Sequence, residues 1–440
     1  MVSFSRIDYV TYFIVLTILL VFDGYQRLSS EVQESVDCRN ISHQNRKSRK
    51  TDSRDDIASC VPFYEVFPKP LSFGVSQKPS HFPFTLIAAY AYGTYSVVTT
   101  ETKGWESEIV FCRYLDRNWK ELLPPTKSLV FPQHAVHCCQ RSRAYFMSIT
   151  RDKHERIMET VPLLNRRPCS PKYILSLCLA PIYGNRTKWL LLAETVEHYR
   201  LQGVEHFYFY VKDIDDYSLK LLQYYVRNGE AEVVFFKGDQ EKTSREWQSV
   251  GVQDCLQRSR HHSQYSIFAD LDERILPLNN HSLAEYVVKT MGEEKTRAML
   301  RFQPRYVFRT RSLPEIYEGA ATLHLHLPTL VFKNTSAPRP AGFKCILDPK
   351  NILQMGVHGV LLYLPGSTKF NVPSNEGIVR HYRDINIDQW SEWSLPMLRT
   401  IVAVVHRRQS CTHFQDVLVF GIMYFGKLGE HSTVPVPFLN

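Results

Sequence analysis

The chain has 440 residues, of which 44% are hydrophobic and 22% charged, with 19 Gly and 24 Pro. This composition excludes a wholly disordered, collagen-like or low-complexity chain and predicts a globular protein of about two to three domains. The net charge is +9, and a large part of it lies within residues 39–50 (Arg39, Arg46, Lys47, Arg49, Lys50). We interpret that stretch as a solvated flexible segment rather than a nuclear-localisation patch. Because the remaining charge is dilute, we expect no nucleic-acid partner.

An apolar run near the amino terminus, Tyr9–Phe22, predicts a membrane-targeting segment. As a helix it would span about 21 Å, less than the roughly 30 Å hydrocarbon core of a bilayer. No small-x-small cleavage pattern follows it, so we favour an uncleaved transmembrane signal-anchor with residues 1–8 in the cytosol. A cleaved signal peptide and a buried core helix are the alternatives. The polar residues 23–60 are interpreted as a flexible stem.

Cysteines and glycosylation sequons also point to the secretory pathway. The chain has 10 Cys, an even number that a lumenal protein can pair, although a cytosolic enzyme can carry free thiols as well. N-x-S/T sequons occur at Asn40, Asn185, Asn280 and Asn334. We predict glycans on Asn40, Asn280 and Asn334. Asn185 lies in a loop for which a binding role is considered below, and a glycan there would obstruct it.

The hydrophobic pattern divides the rest of the chain into three parts. Residues 61–168 are predicted to be a β-rich accessory region, with strands over 84–92, 96–100 and 108–114. From Lys172, strands alternate with helices: strands at 173–180, 206–211, 232–236 and 265–269, and helices at 189–199, 218–226 and 246–260. This alternation predicts an α/β fold with a largely parallel, doubly wound sheet over residues 169–390. The extension 391–440, including Val417–Phe425, has no assigned structure.

Two acidic residues directly follow the strand predicted at 265–269, in the tripeptide Asp270-Leu271-Asp272. Ligands of such sheets bind at the carboxyl ends of the strands, and side chains at i and i+2 of a strand point the same way. Two carboxylates in that position can share Mg²⁺ or Mn²⁺. An acidic turn that merely ends a strand is the alternative, and the second D-x-D at Asp213–Asp215 shows how readily the pattern arises.

Two further segments fall at the same predicted edge. Asp213 follows the second strand and could accept hydrogen bonds from a base or ribose, or cap the next helix. The loop Pro181–Arg186, which includes Tyr183, follows the first strand and could wrap a nucleotide. The sequence has no GxGxxG after the first strand, no GxxxxGK[ST] and no GxSxG. Dinucleotide oxidoreductases, P-loop NTPases and α/β-hydrolases are therefore disfavoured.

Several long segments also carry a family resemblance. They are CLAPIYGNRTKWLLLAETVEHYRLQGVEHFYFYVKDIDDYSLKLLQYYVRNGEAEVVFF, WQSVGVQDCLQRSRHHSQYSIFADLDERILP, FKCILDPKNILQMGVHGV and EGIVRHYRD. Together they resemble glycosyltransferase family 92, over about Phe84 to Tyr382. The resemblance implies a GT-A catalytic domain over residues 169–390, a single-pass type II Golgi anchor, a UDP-sugar donor and Mn²⁺ (or Mg²⁺). It also implies inverting galactosyl transfer to a glycan or glycoprotein acceptor such as core fucose.

The resemblance also implies roles for particular residues. Asp270 and Asp272 match the metal- and diphosphate-binding D-x-D, and His381 resembles a histidine that completes the metal shell. Pro181, Tyr183, Arg186 and Asp213 match donor-binding positions. The catalytic base is left open among Glu273, Glu376 and Asp384, with Glu318 a further candidate. Tyr306, Phe308 and Trp247 could stack on sugar rings or belong to the core.

Two other functions remain open from the sequence alone. A catalytically inactive lumenal glycan-binding protein would keep the same fold and bind glycans without a metal or UDP. A nuclear nucleic-acid binder built on the basic stretch would bind DNA in a salt-sensitive way. The metal-dependent glycosyltransferase is the function that we expect.

Overall fold

The computed structural model describes residues 84–384 apart from 102–104, 168–169, 239–241 and 279–280. These residues lie in one compact unit. The predictions for Tyr9–Phe22, the stem, the basic stretch, Asn40, Asn280 and the extension after 390 fall outside the described residues. Among the residues that are described, no helix is long and apolar enough to cross a membrane.

The first part of the described chain forms a seven-stranded sheet with the order β4-β3-β6-β7-β1-β2-β5. Alternate residues of β3, β5 and β6 point into one core, as the two-residue period of a strand requires; on β3 these are Val110, Cys112 and Tyr114. A disulfide between Cys112 and Cys138 joins β3 to β5. The strands are β1 (Leu86–Ala91), β2 (Tyr95–Thr100), β3 (Ile109–Leu115), β4 (Thr126–Leu129), β5 (Ala135–Cys139), β6 (Phe146–Thr150) and β7 (Val161–Asn165).

The second part begins with the predicted alternation of strands and helices. Its strands lie parallel in the order β10-β9-β8-β11. Asp215 caps α2 by accepting a 2.9 Å hydrogen bond from the Ser218 amide, and Thr243 and Glu246 form a capping box at the start of α3. The elements are β8 (Tyr173–Leu179), α1 (Trp189–Leu201), β9 (His206–Val211), α2 (Asp216–Arg227), β10 (Ala231–Phe235), α3 (Ser244–Ser259) and β11 (Ser263–Ala269).

The remaining strands extend this sheet in the order β11-β14-β13-β18-β12, with β17 beside β13. Strands β14 and β12 run antiparallel to their neighbours, so the α/β prediction is confirmed but the sheet is mixed beyond its first four strands. Strands β15 and β16 pair separately. The elements are β12 (Glu273–Pro277), α4 (Leu283–Gly292), β13 (Arg297–Arg309), α5 (Ala320–His326), α6 (Pro328–Val331), β14 (Lys344–Leu347), β15 (Ile352–Gly356), β16 (Gly359–Tyr363), β17 (Thr368–Asn371) and β18 (Gly377–Asp384).

Helix α3 joins the two sheets through a buried carboxylate. Asp254 on α3 is fully buried and accepts hydrogen bonds from Tyr90 of β1 at 2.8 Å and Tyr210 of β9 at 2.6 Å. It also accepts the Thr99 hydroxyl of β2 and pairs with Arg258 at 3.2 Å. A disulfide between residues 178 and 255 links the same helix to β8. The seven-stranded sheet of β1–β7, which we call the accessory sheet, therefore packs directly on α3. This helix begins near the predicted D-x-D site.

Candidate active site

Asp270 lies just beyond the end of β11, as predicted, but the tripeptide forms a turn rather than continuing the strand. The Glu273 amide bonds to the Asp270 carbonyl at 3.1 Å, and the Asp270 amide donates to Glu273 Oε2 at 2.8 Å. The Asp270 carboxylate contacts Lys344 Nζ at 2.9 Å and accepts from Gln248 Nε2 at 3.2 Å. The alternation rule of a strand does not apply in a turn, and Asp272 accordingly meets different partners.

Glu273 lies at the centre of the cluster and is fully buried. Its Oε2 is 3.0 Å from Lys344 Nζ, and its Oε1 is 3.2 Å from His381 Nδ1. Burial, and next the charge of Asp270, raise the pKa of Glu273, while Lys344 and His381 oppose that rise. Burial disfavours the charge of Lys344, but Glu273 and Asp270 hold its pKa well above the usual value. Glu273 is thus enclosed by two basic side chains.

Asp272 pairs with His381, which the family resemblance predicted to complete the metal shell. His381 Nε2 is 3.3 Å from Asp272 Oδ2, and the pairing of β12 with β18 sets Glu273 opposite His381. Burial would raise the pKa of Asp272, but the charge and hydrogen bond of His381, followed by the charge of Arg383, lower it to about 2. Burial likewise opposes protonation of His381, yet Glu273 and Asp272 raise its pKa.

The Asp272–His381 pair fits a divalent cation. Ligand atoms at right angles on an ion with bonds of about 2.1 Å lie roughly 3 Å apart, close to the 3.3 Å between Oδ2 and Nε2. The other ring nitrogen of His381 meets the Glu273 carboxylate, an arrangement that orients metal-binding histidines in proteins. Asp272 and His381 could therefore hold a metal, with Glu273 orienting the histidine. Asp270, tied to Lys344 and Gln248, stands beside this pair.

The loop Pro181–Arg186, which we call the donor loop, lies next to Asp213 at the same edge of the sheet as Asp270. The amide of Lys212 donates to the Ile182 carbonyl at 2.8 Å, which holds the start of this loop against the end of β9. Pro181 is buried, whereas Tyr183, Arg186 and Asp213 are exposed. The helix cap is Asp215, so Asp213 is not needed for that role. Exposed polar side chains thus line the edge where a nucleoside was predicted.

The other candidates for the catalytic base are not part of the Asp272–Glu273–His381 contacts described above. Glu376 precedes β18 at the end opposite to His381 and accepts from Tyr286 at 2.9 Å. Asp384 is exposed and pairs with Arg309 at 2.8 Å, and its side chain alternates to the sheet face opposite that of His381. Glu318 is exposed before α5. The identity of the base stays a prediction, and burial between Lys344 and His381 disfavours Glu273 for it.

The predicted aromatic and glycosylated positions divide between the site and elsewhere. Tyr306 packs edge-on against His381 with ring centroids 5.4 Å apart, and Phe308 lies 6.2 Å from Tyr306. Trp247 is buried and stacks on Phe236, so it belongs to the hydrophobic core. Asn334 is exposed, as an acceptor of a glycan must be.

A second cluster of residues whose side chains can bind metals lies at the opposite edge of the sheet. Within the described part of the chain, His206, Glu232 and His262 bring ligand atoms within 4.8 Å of one another. Glu232 is already paired with Arg258 at 3.1 Å and Arg166 at 3.3 Å. Two guanidinium charges beside the carboxylate would repel a cation, so we interpret this cluster as a structural ion-pair network.

Sequence reasoning missed Lys344, Gln248 and Arg383. Lys344 begins β14 and Gln248 lies in the first turns of α3, so neither is near the D-x-D in the sequence. Arg383 places a guanidinium nitrogen 3.5 Å from His381 Nε2. It could have been noticed, because it is two residues from His381 and shares its side of the strand.

This α/β architecture, with a carboxylate–histidine centre at the carboxyl edge of the parallel strands, is one in which substrates and metals bind beyond the strand ends. The sequence model of glycosyltransferase family 92 matches residues 173–416, more than half of the chain. The protein belongs to this family, as its sequence motifs suggested.

Individual relatives are more distant. The beta-1,4-galactosyltransferase galt-1 of Caenorhabditis elegans is 25% identical over 223 residues, which are 48% of this chain and 48% of the relative. The chain thus spans about half the length of that curated relative. Glucosyl-3-phosphoglycerate synthase of Mycobacterium tuberculosis, solved with Mn²⁺, UDP and glucosyl-3-phosphoglycerate, is 14% identical with a TM-score of 0.27, covering 52% of this chain and 78% of the synthase. S. aureus TarS 1–349 with UDP is 12% identical with a TM-score of 0.27, covering 56% and 69%.

Proposed function

We propose that the protein is a metal-dependent inverting glycosyltransferase of the GT-A type. It would move a hexose, with galactose as the expected sugar, from a UDP-sugar to a hydroxyl of a glycan acceptor such as core fucose. The observation that carries the proposal is the Asp272–His381 pair, 3.3 Å apart and oriented by Glu273, just beyond β11. Family membership supports glycosyl transfer as the reaction class.

The proposed mechanism assigns separate tasks to the two aspartates. Asp272 and His381 would hold Mn²⁺ or Mg²⁺, which when bound would neutralise charge on the departing UDP. Asp270, fixed by Lys344 and Gln248, would face the nucleoside side together with Asp213 and the exposed part of the donor loop. A carboxylate still to be identified would take the proton of the acceptor hydroxyl as that oxygen attacks the anomeric carbon.

We also propose that the enzyme acts in the Golgi lumen behind a type II membrane anchor. The Cys112–Cys138 and Cys178–Cys255 disulfides support an oxidising compartment, because such bonds are rare in the cytosol. The apolar run at 9–22 and the sequons support the same location. Microscopy of the tagged full-length chain against Golgi markers, with glycosidase treatment, tests this part of the proposal.

Release of UDP tests the enzymatic function. The purified protein is supplied with UDP-galactose, UDP-glucose or UDP-N-acetylglucosamine, with Mn²⁺ and with glycans that carry or lack core fucose. We expect turnover with one donor above the others and its loss in Asp272→Ala. The matched control is Asp152→Ala in an exposed turn of the accessory region. Glycan binding without turnover would instead identify an inactive glycan-binding protein, and equal turnover in Asp272→Ala would contradict the metal role.

A further inference from the structure

The hairpin formed by β15 and β16 brings a further side chain to the candidate site. Strand β14 begins at the D-x-D turn, where Lys344 contacts Asp270 at 2.9 Å. It then runs away from that turn, because it pairs antiparallel with β11, whose end precedes Asp270 directly. The chain returns in β15, turns at Val357 and His358, and leaves in β16. The tip of the β15–β16 hairpin therefore points back toward the edge that carries Asp270.

Contacts with α3 fix the direction of this hairpin. The guanidinium of Arg260, just after α3, donates to the carbonyl of the first residue of β15. Farther back along the helix, Gln253 donates to the Leu353 carbonyl at 3.4 Å and accepts from the Met355 amide at 3.2 Å. Strand β15 thus runs antiparallel to α3. Three more residues of strand advance about 10 Å, the length of six to seven helical residues, so the tip arrives near Gln248 in the first turns of α3.

Close packing constrains the tip of the hairpin. Gly356 pairs with Gly359 across the two-residue turn. A Cβ added to Gly356 would come within 3.2 Å of the Gly359 carbonyl oxygen and 3.0 Å of Leu361 Cγ, so a larger residue would crowd the turn. The backbone of His358 is therefore held from both sides. A group held in this way loses little conformational entropy when it binds a ligand.

His358 is exposed at this tip and lies within electrostatic reach of the D-x-D turn. Partial burial and then the charge of Lys344 lower its pKa, while the charge of Asp270 opposes that shift. The imidazole is therefore mainly neutral at about pH 7, with one ring nitrogen that donates and one that accepts a hydrogen bond. A hydroxyl group both donates and accepts, so it can pair with either nitrogen.

The hairpin and the donor loop lie on opposite sides of α3. Gly251 faces the donor loop, since an added Cβ would come within 2.8 Å of Pro181 Cγ, whereas Gln253 faces the hairpin. Two residues along a helix turn by about 200°, so these two contacts point in nearly opposite directions. A donor whose nucleoside lay at the donor loop would extend past Asp270 toward the hairpin.

We propose that His358 binds the acceptor glycan through a hydrogen bond to one of its hydroxyl groups, so that the tip of the β15–β16 hairpin forms the acceptor side of the site. This inference rests on the proposed function and deepens it. Inverting transfer requires the acceptor oxygen to approach the anomeric carbon from the face opposite the departing UDP. The hairpin tip supplies a polar group on the side away from the donor loop, where such an acceptor has to be held.

Kinetics and calorimetry of the full-length protein separate acceptor binding from donor binding. A glycan that carries core fucose is the acceptor probe, supplied with UDP-galactose and Mn²⁺ to wild type, His358→Ala and His358→Gln. For His358→Ala we expect the KM for the glycan to rise about tenfold, as for the loss of one hydrogen bond. The Kd for UDP at saturating Mn²⁺, measured by calorimetry, should change by less than about twofold. His358→Gln keeps a donor and an acceptor, so its KM should be intermediate.

His154→Ala is the matched control, because His154 is exposed in a turn of the accessory region. Thermal unfolding verifies that each variant is folded. An unchanged KM for the glycan in a folded His358→Ala overturns the inference but leaves the proposed function standing. A loss of UDP affinity in that variant overturns it in favour of a role on the donor side, and a fall in kcat with unchanged KM overturns it in favour of a role in the reaction itself. A wild-type protein that transfers nothing to the glycan overturns the proposed acceptor and this inference with it.

Discussion

Glu273 contacts Lys344 on one side and His381 on the other, and its side chain is 1% exposed. A catalytic base has to reach the acceptor hydroxyl directly or through one water. The carboxylate of Glu273 is instead aimed at the histidine that pairs with Asp272. These contacts favour a positioning role over the role of base.

The substitution Glu273→Gln distinguishes the two roles. Loss of the carboxylate beside Nδ1 removes the group that orients His381, so we expect the affinity for Mn²⁺ to fall by about 10- to 100-fold. Calorimetry with Mn²⁺ and UDP measures that effect separately from kcat. A large fall in kcat with unchanged Mn²⁺ affinity would identify Glu273 as the base and contradict the positioning role.

Gly251 on α3 lies where the helix meets the donor loop. An added Cβ would come within 2.8 Å of Pro181 Cγ and 3.1 Å of its Cδ. We expect Gly251→Ala to displace the loop, lower the affinity for UDP and destabilise the fold by about 1–3 kcal/mol. Calorimetry and denaturant unfolding measure the two effects. Gly292→Ala at the end of α4 is the control, since a Cβ there meets nothing within 4 Å; equal behaviour of the two variants would contradict the expectation.

At the scale of single residues, the sequence predicts where the acidic side chains lie better than it predicts which residues contact them. Asp270 could be placed at a sheet edge because a buried strand runs directly into it. Lys344 could not be placed there, because β14 is inserted antiparallel between β11 and β13, and such pairing leaves no mark in local periodicity. Gln248 could not be placed there either, because the sequence pattern of α3 does not show which of its residues faces the turn. The role of His381 in the metal site was predicted only from the family resemblance.

Helix α3 carries residues that meet the accessory sheet, the donor loop and the D-x-D turn. Asp254 bonds to Tyr90, Gly251 abuts Pro181, and Gln248 donates to Asp270. Helix α3 therefore connects the accessory sheet to the candidate site. The sequence predicted this helix but not its partners, since side chains on all sides of α3 are buried and no amphipathic face marks the docking surface.

Asp254→Ala tests how strongly the two sheets are joined. The change leaves the Tyr90, Tyr210 and Thr99 hydroxyls and the Arg258 guanidinium without their shared buried acceptor. We expect a loss of about 3–5 kcal/mol in the free energy of unfolding, measured with denaturant. The exposed Asp152→Ala should change it by less than about 0.5 kcal/mol. A similar small change for Asp254→Ala would show that this network does not stabilise the contact.

Glu197 on α1 predicts a pH dependence of stability. Its side chain is 6% exposed, and burial, opposed by Arg200 and reinforced by Glu230, raises its pKa to about 7. The folded state therefore holds this proton in a range where the unfolded chain has lost it. The contribution to stability is full below the ordinary glutamate pKa and is lost as pH rises through about 7.

Glu197→Gln should remove that dependence. Between about pH 4.5 and 8 we expect the wild type to lose of the order of 1–3 kcal/mol relative to the variant. Denaturant unfolding at several pH values measures the difference. Parallel stability curves for the two proteins across that range would contradict the assigned pKa.

At the scale of the whole molecule, the alternation from β8 to β11 was predictable because each helix and strand has its own period and its own terminating residues. The arrangement of the later strands was not predictable, because β14, β13, β18 and β12 pair across long sequence separations and in mixed directions. The β-rich character of residues 86–165 was predictable, but its docking on α3 rests on buried polar side chains that resemble ordinary core positions in the sequence.

We propose that Asp272 and His381 hold the cation that assists departure of a nucleoside diphosphate. Anomalous diffraction from crystals grown with Mn²⁺ and UDP locates that ion directly. We expect a peak within about 2.3 Å of an Asp272 carboxylate oxygen and of His381 Nε2, with UDP bound next to it. A manganese ion bound at His206, Glu232 and His262 instead, or UDP bound with no ion beside Asp272, would contradict it.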